Sequence, residues 1–331
     1  MNVDLYVGDC VHAMRTMPSG SVHTCVTSPP YFGLRDYKVD GQIGLEATPE
    51  AYVARLVEVF REVRRVLRDD GTLWLNLGDS YAGAKSKAIQ TSLANYGCNG
   101  TATWEAAATS RAGSQAIRPA VSGMNSKQLL GIPWRVAFAL QADGWILRQE
   151  IIWHKPGVMP ESVKDRFCKN HEQIFLLSKS PKYYFDFHAI REPAIYPAGT
   201  KAAKGSSARQ AETSVNARPA EYKVYDGMRT KRSVWTVTTK PFKGAHFATF
   251  PPDLIEPCVL AGAPAGGTVL DPFGGSGTTA AVALKHGRKA ILCELNSDYT
   301  MLMPDRIAKI SGVTPSIKRI PVLSFDPLEG I

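Results

Sequence analysis

Between residues 267 and 294 four elements follow one another with no spare chain. Gly267-Thr268-Val269-Leu270 reads as a strand. Asp271-Pro272-Phe273-Gly274-Gly275-Ser276-Gly277-Thr278-Thr279 is a glycine-rich turn leading into a helix over 280–286. Gly287-Arg288-Lys289 turns back into a strand over 290–293 that ends on Glu294. A strand, a helix and a strand in so short a span pack as parallel neighbours, since an antiparallel pair would need only a hairpin. Glycines let the backbone approach a ligand closely, and the helix N-terminus offers free N–H groups. An acid about 20 residues past the first strand, here Glu294, can accept from both hydroxyls of a ribose. The unit is a nucleotide-type binding half.

Three ligands compete for it. A phosphate loop needs Gly-Lys-Ser/Thr, whereas Thr278 follows Gly277, which excludes it. Gly275-x-Gly277-x-x-Ala280 formally matches a dinucleotide fingerprint. Residues 295–331 are expected to be too few for the rest of that fold, and no second such half is evident upstream. S-adenosylmethionine is the third. It carries no phosphate, and Asp271 or a nearby acid could hold its ammonium group.

A second unusual stretch is Thr27-Ser28-Pro29-Pro30-Tyr31, after a strand-like run over 21–26. Two prolines in succession neither continue a ladder nor start a helix there. They stiffen a turn that presents a hydroxyl, two carbonyls without a local donor, and an aromatic face. That set suits a flat ring with an exocyclic amine: the amine donates to Ser28 Oγ and the Pro29 carbonyl, and the ring stacks on Tyr31. A plain proline-rich surface turn is the competing reading.

The rest of the chain supplies a scaffold. Leu5-Tyr6-Val7 is a short strand, and Asp9 after it either faces a ligand or caps the helix over 11–17. Thr48-Pro49-Glu50 starts a helix whose apolar residues, Tyr52 to Leu67, recur at helical spacing, and Asp69-Asp70-Gly71 ends it. Residues 72–77 are a buried strand. A helix is predicted from Gly131 to about Ala142, then strands over 145–153 and 171–178 as an antiparallel pair at a sheet edge. Phe250-Pro251-Pro252-Asp253 opens a helix over 254–261, and the last helix starts at Asp298. Residues 82–127 lose all periodicity and read as a flexible loop, either a surface insertion or a segment that orders on a partner. Residues 182–243 interleave aromatic and basic side chains, a pattern that neutralises phosphates and stacks on bases. His171-Glu172-Gln173-Ile174-Phe175 begins like a zinc-protease helix but lacks the second histidine and reads as ordinary sequence.

Net charge narrows the partners. At +9 the chain favours a polyanion. Six scattered cysteines with no Cys-x-x-Cys pair argue against disulfides and a structural zinc, and no metal site is expected. No run of 18 apolar residues exists and Met1–Leu5 lacks signal-peptide character, so a cytoplasmic protein without a membrane partner is expected. Pro257-Cys258, the pair that carbon-5 methylation of cytosine would need, sits in an apolar helix and reads as core.

With the proline turn, the glycine turn and Glu294 in one chain, the sequence resembles the amino-methyltransferases of DNA from restriction–modification systems and phages. The order, catalytic turn first and cofactor turn last, resembles their beta arrangement. The resemblance implies an α/β fold: an open, mostly parallel, seven-stranded Rossmann-like S-adenosylmethionine-dependent methyltransferase sheet with an irregular target-recognition insertion. It divides the chain into a catalytic part (1–155), a target-recognition region (156–245) and a cofactor-binding part of the same domain (246–331). It implies catalytic roles for Ser28, Pro29, Pro30 and Tyr31. Cofactor contacts are implied for Asp9, His246, Phe247, Thr249, Asp271, Phe273, Gly275, Ser276, Gly277, Thr278, Thr279 and Glu294. Lys155, Arg191, Lys223, Arg229, Lys231 and Arg232 are the expected DNA contacts. Double-stranded DNA is the expected partner, with a homodimer and a cognate restriction endonuclease as further candidates. Serine at the first tetrapeptide position goes mostly with cytosine N4, and N6-adenine is the alternative. A non-catalytic nucleic-acid binder is the remaining one. The strands leading to Ser28 and Asp271 are expected to be neighbours, so that both turns open at one edge.

Overall fold

The computed structural model describes residues 2–83, 124–158, 161–203, 222–239 and 250–322. In chain order the first half runs β1 (Asn2–Val7), α1 (Cys10–Arg15), β2 (Val22–Thr27), α2 (Pro49–Val66), β3 (Leu67–Leu77), α3 (Ile132–Ala142), β4 (Ile146–His154) and β5 (His171–Ser178). Five short strands follow: β6 (Glu192–Pro193), β7 (Lys201–Ala203), β8 (Tyr222–Val224), β9 (Met228–Arg229) and β10 (Val234–Thr236). The chain then forms α4 (Pro252–Gly262), β11 (Thr268–Asp271), α5 (Thr278–Lys285), β12 (Lys289–Glu294), α6 (Ser297–Ser311) and β13 (Ser316–Pro321).

A nine-stranded sheet in the order β10-β4-β5-β3-β2-β11-β12-β1-β13 organises these elements. Only β5 runs against its neighbours; every other pairing in that sheet is parallel. The strand count corrects the seven expected. Both additions are edge strands with weak signals. β10 has three residues, and β13 is Ser-Ile-Lys-Arg-Ile-Pro, largely exposed. β10 also moves the β4–β5 pair off the sheet edge. β3 differs too: α2 stops at Val66 because Leu67 is already extended, and the strand runs on through Asp69-Asp70-Gly71 instead of turning there.

Side chains alternate across the sheet. On one face, Cys25, Leu73, Leu75 and Leu77 join Tyr52, Leu56, Phe60 and Val63 of α2, Val136 of α3 and Met14 of α1. On the other, Val26, Trp74, Val269 and Leu292 meet Leu254 and Cys258 of α4, Ala281 of α5 and Met303 of α6. Helices on both faces of a mostly parallel sheet make a three-layer α/β fold. Cys258 is fully buried there. Among the described residues no helix is long and apolar enough to cross a membrane.

Part of the interleaved aromatic–basic segment packs back on this body. Phe185 stacks on Trp74 with centroids 6.1 Å apart. Trp235 of β10 is buried, its Nε1 donating to Arg232 O at 2.6 Å. Trp235 is therefore core, although the residue pattern suggested a base contact, and Phe185 packs on Trp74 while remaining exposed. β6 pairs with β9 and β7 with β8 in two small antiparallel ribbons.

Candidate active site

Parallel strands end at one edge of a sheet. β1, β2, β3, β4, β11 and β12 all deliver their carboxyl ends there, and the reversed strand β5 delivers its first residues. A cavity of about 570 Å³ opens at that edge. Ser28, Pro29, Pro30 and Tyr31 line it from the turn after β2, and Asp271, Phe273, Gly275, Ser276 and Thr278 from the turn after β11. Asp9, Asn76, Lys155, Glu172 and Glu294 add polar side chains to its wall, as do Arg35, Gln42 and Asn296. The strands bearing the two turns are direct neighbours, Leu270 pairing with Cys25.

The glycine turn is tied to the strand ends by two carboxylates. Asp271 is buried and accepts from Thr27 Oγ1 and Thr279 Oγ1, both at 2.6 Å, and from Phe273 N at 3.0 Å. Burial pushes its carboxyl above the usual range, against those donors. With both oxygens engaged, Asp271 acts as a strut between the two turns. Glu294 accepts from Gly275 N at 2.7 Å and Asn296 N at 2.8 Å, and burial raises it to about 7. Gly275 and Gly277 have φ of 53° and 82°, a region that favours glycine. A Cβ on Gly277 would also come 3.2 Å from Ile307 of α6. Ser276 Oγ is buried in the wall with no hydrogen-bond partner among the described residues. Thr278 Oγ1 accepts from Arg306 at 3.0 Å, and Thr279 lies beneath the turn.

The proline turn is held from further away. Tyr52 of α2 donates to the Pro30 carbonyl at 2.8 Å, so one of its two exposed-looking carbonyls is taken. Ser28 Oγ donates to Tyr31 Oη at 3.3 Å. Tyr31 Oη lies 2.9 Å from Glu172 Oε2 and 3.2 Å from Asn76 Oδ1. Asn76 Nδ2 donates to Glu172 Oε2 and to Gln173 O. Lys155 pairs with Glu172 Oε1, its Nζ 3.9 Å from the Trp153 ring centroid. The Tyr31 ring lies against Gly78: a Cβ there would sit 2.5 Å from Cε2.

Asp9 shows the capping role directly. It caps α1, accepting from His12 N at 2.9 Å, and it lines the cavity. Lys155 sits inside the cavity, half-buried in its ion pair. Arg191 makes two bonds to Asp226, Arg229 pairs with Glu192, and Lys231 lies 3.9 Å from Glu192. Arg232 is exposed, and Lys223 lies in β8. His246, Phe247 and Thr249 fall outside the described residues, as does most of the 82–127 loop.

Asn76, Gly78 and Glu172 were not singled out from the sequence. A polar residue inside the apolar run Leu73-Trp74-Leu75-Asn76-Leu77 was the available signal for Asn76. Glu172 had one only in combination with β5's reversed direction, which brings the strand's first residues to the functional edge.

Residues 22–303 match a family model described as DNA methylase. The type II methyltransferase M.XycI of Xanthomonas campestris pv. cyanopsidis is 46% identical over 304 residues, 92% of this chain and 87% of that protein. TTHA0409 of Thermus thermophilus, solved in complex with S-adenosyl-L-methionine, superposes with a TM-score of 0.56 at 22% identity, over 95% of this chain and 99% of that one. PvuII DNA methyltransferase, cytosine-N4-specific, superposes with a TM-score of 0.59 at 17% identity, over 94% and 92%. At those identities the two solved structures bear on the fold.

Proposed function

The chain belongs to the DNA methylase family that its residues 22–303 match, and from that premise we propose that it transfers a methyl group from S-adenosylmethionine to the exocyclic N4 amine of a flipped cytosine in double-stranded DNA. The observation that carries the proposal is the single cavity lined by both Ser28–Tyr31 and Phe273–Ser276.

The residues present suit the cofactor. Glu294 accepts from its ribose hydroxyls. The glycine turn allows close backbone approach, and the orphaned Ser276 hydroxyl gains a partner there. Asp9, with its carboxylate on the cavity wall, serves the polar amino-acid end. When bound, S-adenosylmethionine supplies an electrophilic methyl group on its sulfonium.

The chain's own work is on the target. A base amine is a poor nucleophile because its lone pair is delocalised into the ring. Ser28 Oγ and the Pro29 carbonyl accept its two N–H bonds and draw the nitrogen toward tetrahedral geometry, which localises the lone pair. Holding amine and methyl group in line supplies much of the remaining rate. Extruding the base costs a few kcal/mol, and stacking on Tyr31 offsets about 1–3 kcal/mol of it. The neutral serine at position 28 supports cytosine as the base. Arg191, Lys223, Arg229, Lys231 and Arg232 supply the charge that holds DNA phosphates, and Lys155 acts from within the cavity.

The test is transfer of labelled methyl from S-adenosylmethionine to plasmid DNA, followed by digestion to nucleosides. N4-methyldeoxycytidine is expected, with Ser28→Ala abolishing it. N6-methyldeoxyadenosine in its place would overturn the assigned base. Label in neither nucleoside would overturn the activity.

A further inference from the structure

Five polar side chains from separate parts of the sheet edge meet at the floor of the cavity, and the number of protons they carry fixes the direction of their hydrogen bonds. Asn76 Nδ2 donates to Glu172 Oε2 at 3.3 Å and to Gln173 O at 3.1 Å, which sets the orientation of that amide. Tyr31 has one proton and two acceptors in reach. The carboxylate oxygen of Glu172, at 2.9 Å, is closer and charged, and takes it ahead of Asn76 Oδ1 at 3.2 Å. The phenol oxygen is then the acceptor for Ser28 O–H at 3.3 Å. Ser28 thereby directs its proton into the protein and leaves its lone pairs for the cavity. Lys155 holds the other oxygen of Glu172, which fixes that carboxyl group in place. Burial, with Glu172 beside it, pushes the Tyr31 phenol well above its usual range, so it keeps its proton at neutral pH.

We propose that Glu172 is a positioning residue for methyl transfer: through Tyr31 it fixes Ser28 as an acceptor for the target amine, and the same chain of hydroxyls carries away the proton that the amine loses. As the nitrogen lone pair forms the N–C bond, the donor's S–C bond breaks and its electron pair stays on sulfur. The nitrogen is left with one proton too many. That proton passes to Ser28 Oγ, the Ser28 proton to Tyr31 Oη, and the phenolic proton to Glu172 Oε2. Glu172 ends neutral and returns the proton to water. The inference rests on the methyl-transfer reading above.

Single-turnover transfer by the wild-type protein, Glu172→Gln, Tyr31→Phe and their double variant tests it, with cofactor affinity measured by calorimetry on each. Both single variants should slow transfer about 100-fold, the lower range for removing an acid–base partner. KM for DNA and cofactor affinity should stay within about threefold, and the double variant should be no slower than either single one, because the relay is already broken. Glu172→Gln transferring within about threefold of wild type would overturn the proposal, as would losses that multiply in the double variant. If Glu172→Gln unfolds because Lys155 is left unpaired, Lys155→Met/Glu172→Gln removes both charges. The same slowing is expected there, and wild-type transfer would overturn the relay. Wild-type protein that leaves DNA unmethylated would sink the underlying reading; an active Glu172→Gln variant sinks this one alone.

Discussion

The two turns that face each other across the cavity are built in different ways. The glycine turn is braced mainly by neighbours in its own unit: Asp271 takes Thr279 and Phe273, and Glu294 takes Gly275. The proline turn depends on residues distant in the chain: Tyr52 on the Pro30 carbonyl, Asn76 and Glu172 on Tyr31, and Gly78 beneath its ring. Between them Thr27 Oγ1 donates to Asp271, and Thr279 Oγ1 lies 3.4 Å from the Val26 carbonyl at the end of β2. A turn that closes on itself binds its ligand by backbone geometry. A turn braced from afar can have its chemistry set by residues outside the motif.

Cutting the Thr27–Asp271 bond should have the largest effect. Asp271→Ala leaves Thr27, Thr279 and the Phe273 N–H without their buried acceptor. At about 1 kcal/mol or more for each orphaned group, unfolding in urea should show a loss of about 3 kcal/mol. Cofactor binding and methyl transfer should fail together; loss of one alone would break the picture of a shared strut. The next effect should be confined to the proline turn. Gly78→Val pushes on the Tyr31 ring, and a displacement of the order of 1 Å can cost about 100-fold in rate. Transfer should drop by that much while calorimetry finds cofactor affinity unchanged.

The glycine turn should answer to pH instead. Glu294, raised to about 7 by burial, is largely neutral at pH 6, and its carboxylate is the better acceptor for ribose hydroxyls. Binding favours the charged form, so cofactor affinity should rise about tenfold from pH 6 to pH 8, and Glu294→Gln should flatten the profile. In the ligand-free protein the sign reverses. Its folded pKa lies above the unfolded value of 4.5, so this group's contribution to stability falls as pH climbs from 4.5 to about 7. The smallest effect belongs to the DNA surface: Arg232→Ala should reduce the slope of log affinity against log salt by about 0.9, leaving cofactor affinity intact.

The same contrast explains what could be read in advance. The glycine turn was legible because its strand, glycines, helix and acid lie within one continuous stretch. The seven strands with apolar runs were legible too. β10 and β13 were not, because three residues or an exposed basic alternation carry little apolar signal. The proline turn announced its own residues but not its supports. Glu172 acquires a role only when β5 runs opposite to β3 and β4, and Gly78 only when the Tyr31 ring comes to rest on it. Trp235 looked like a base contact and is core because a three-residue strand turned it inward.

The central claim is that methyl donor and target amine meet in one crevice between these turns. A crystal structure with S-adenosylhomocysteine and a duplex containing the target cytosine measures it directly. The ribose hydroxyls should lie on Glu294 and the extruded amine within hydrogen-bond distance of Ser28 Oγ, in the same cavity. Adenosine seated away from Glu294, or a base held elsewhere with Ser28 facing solvent, would contradict it.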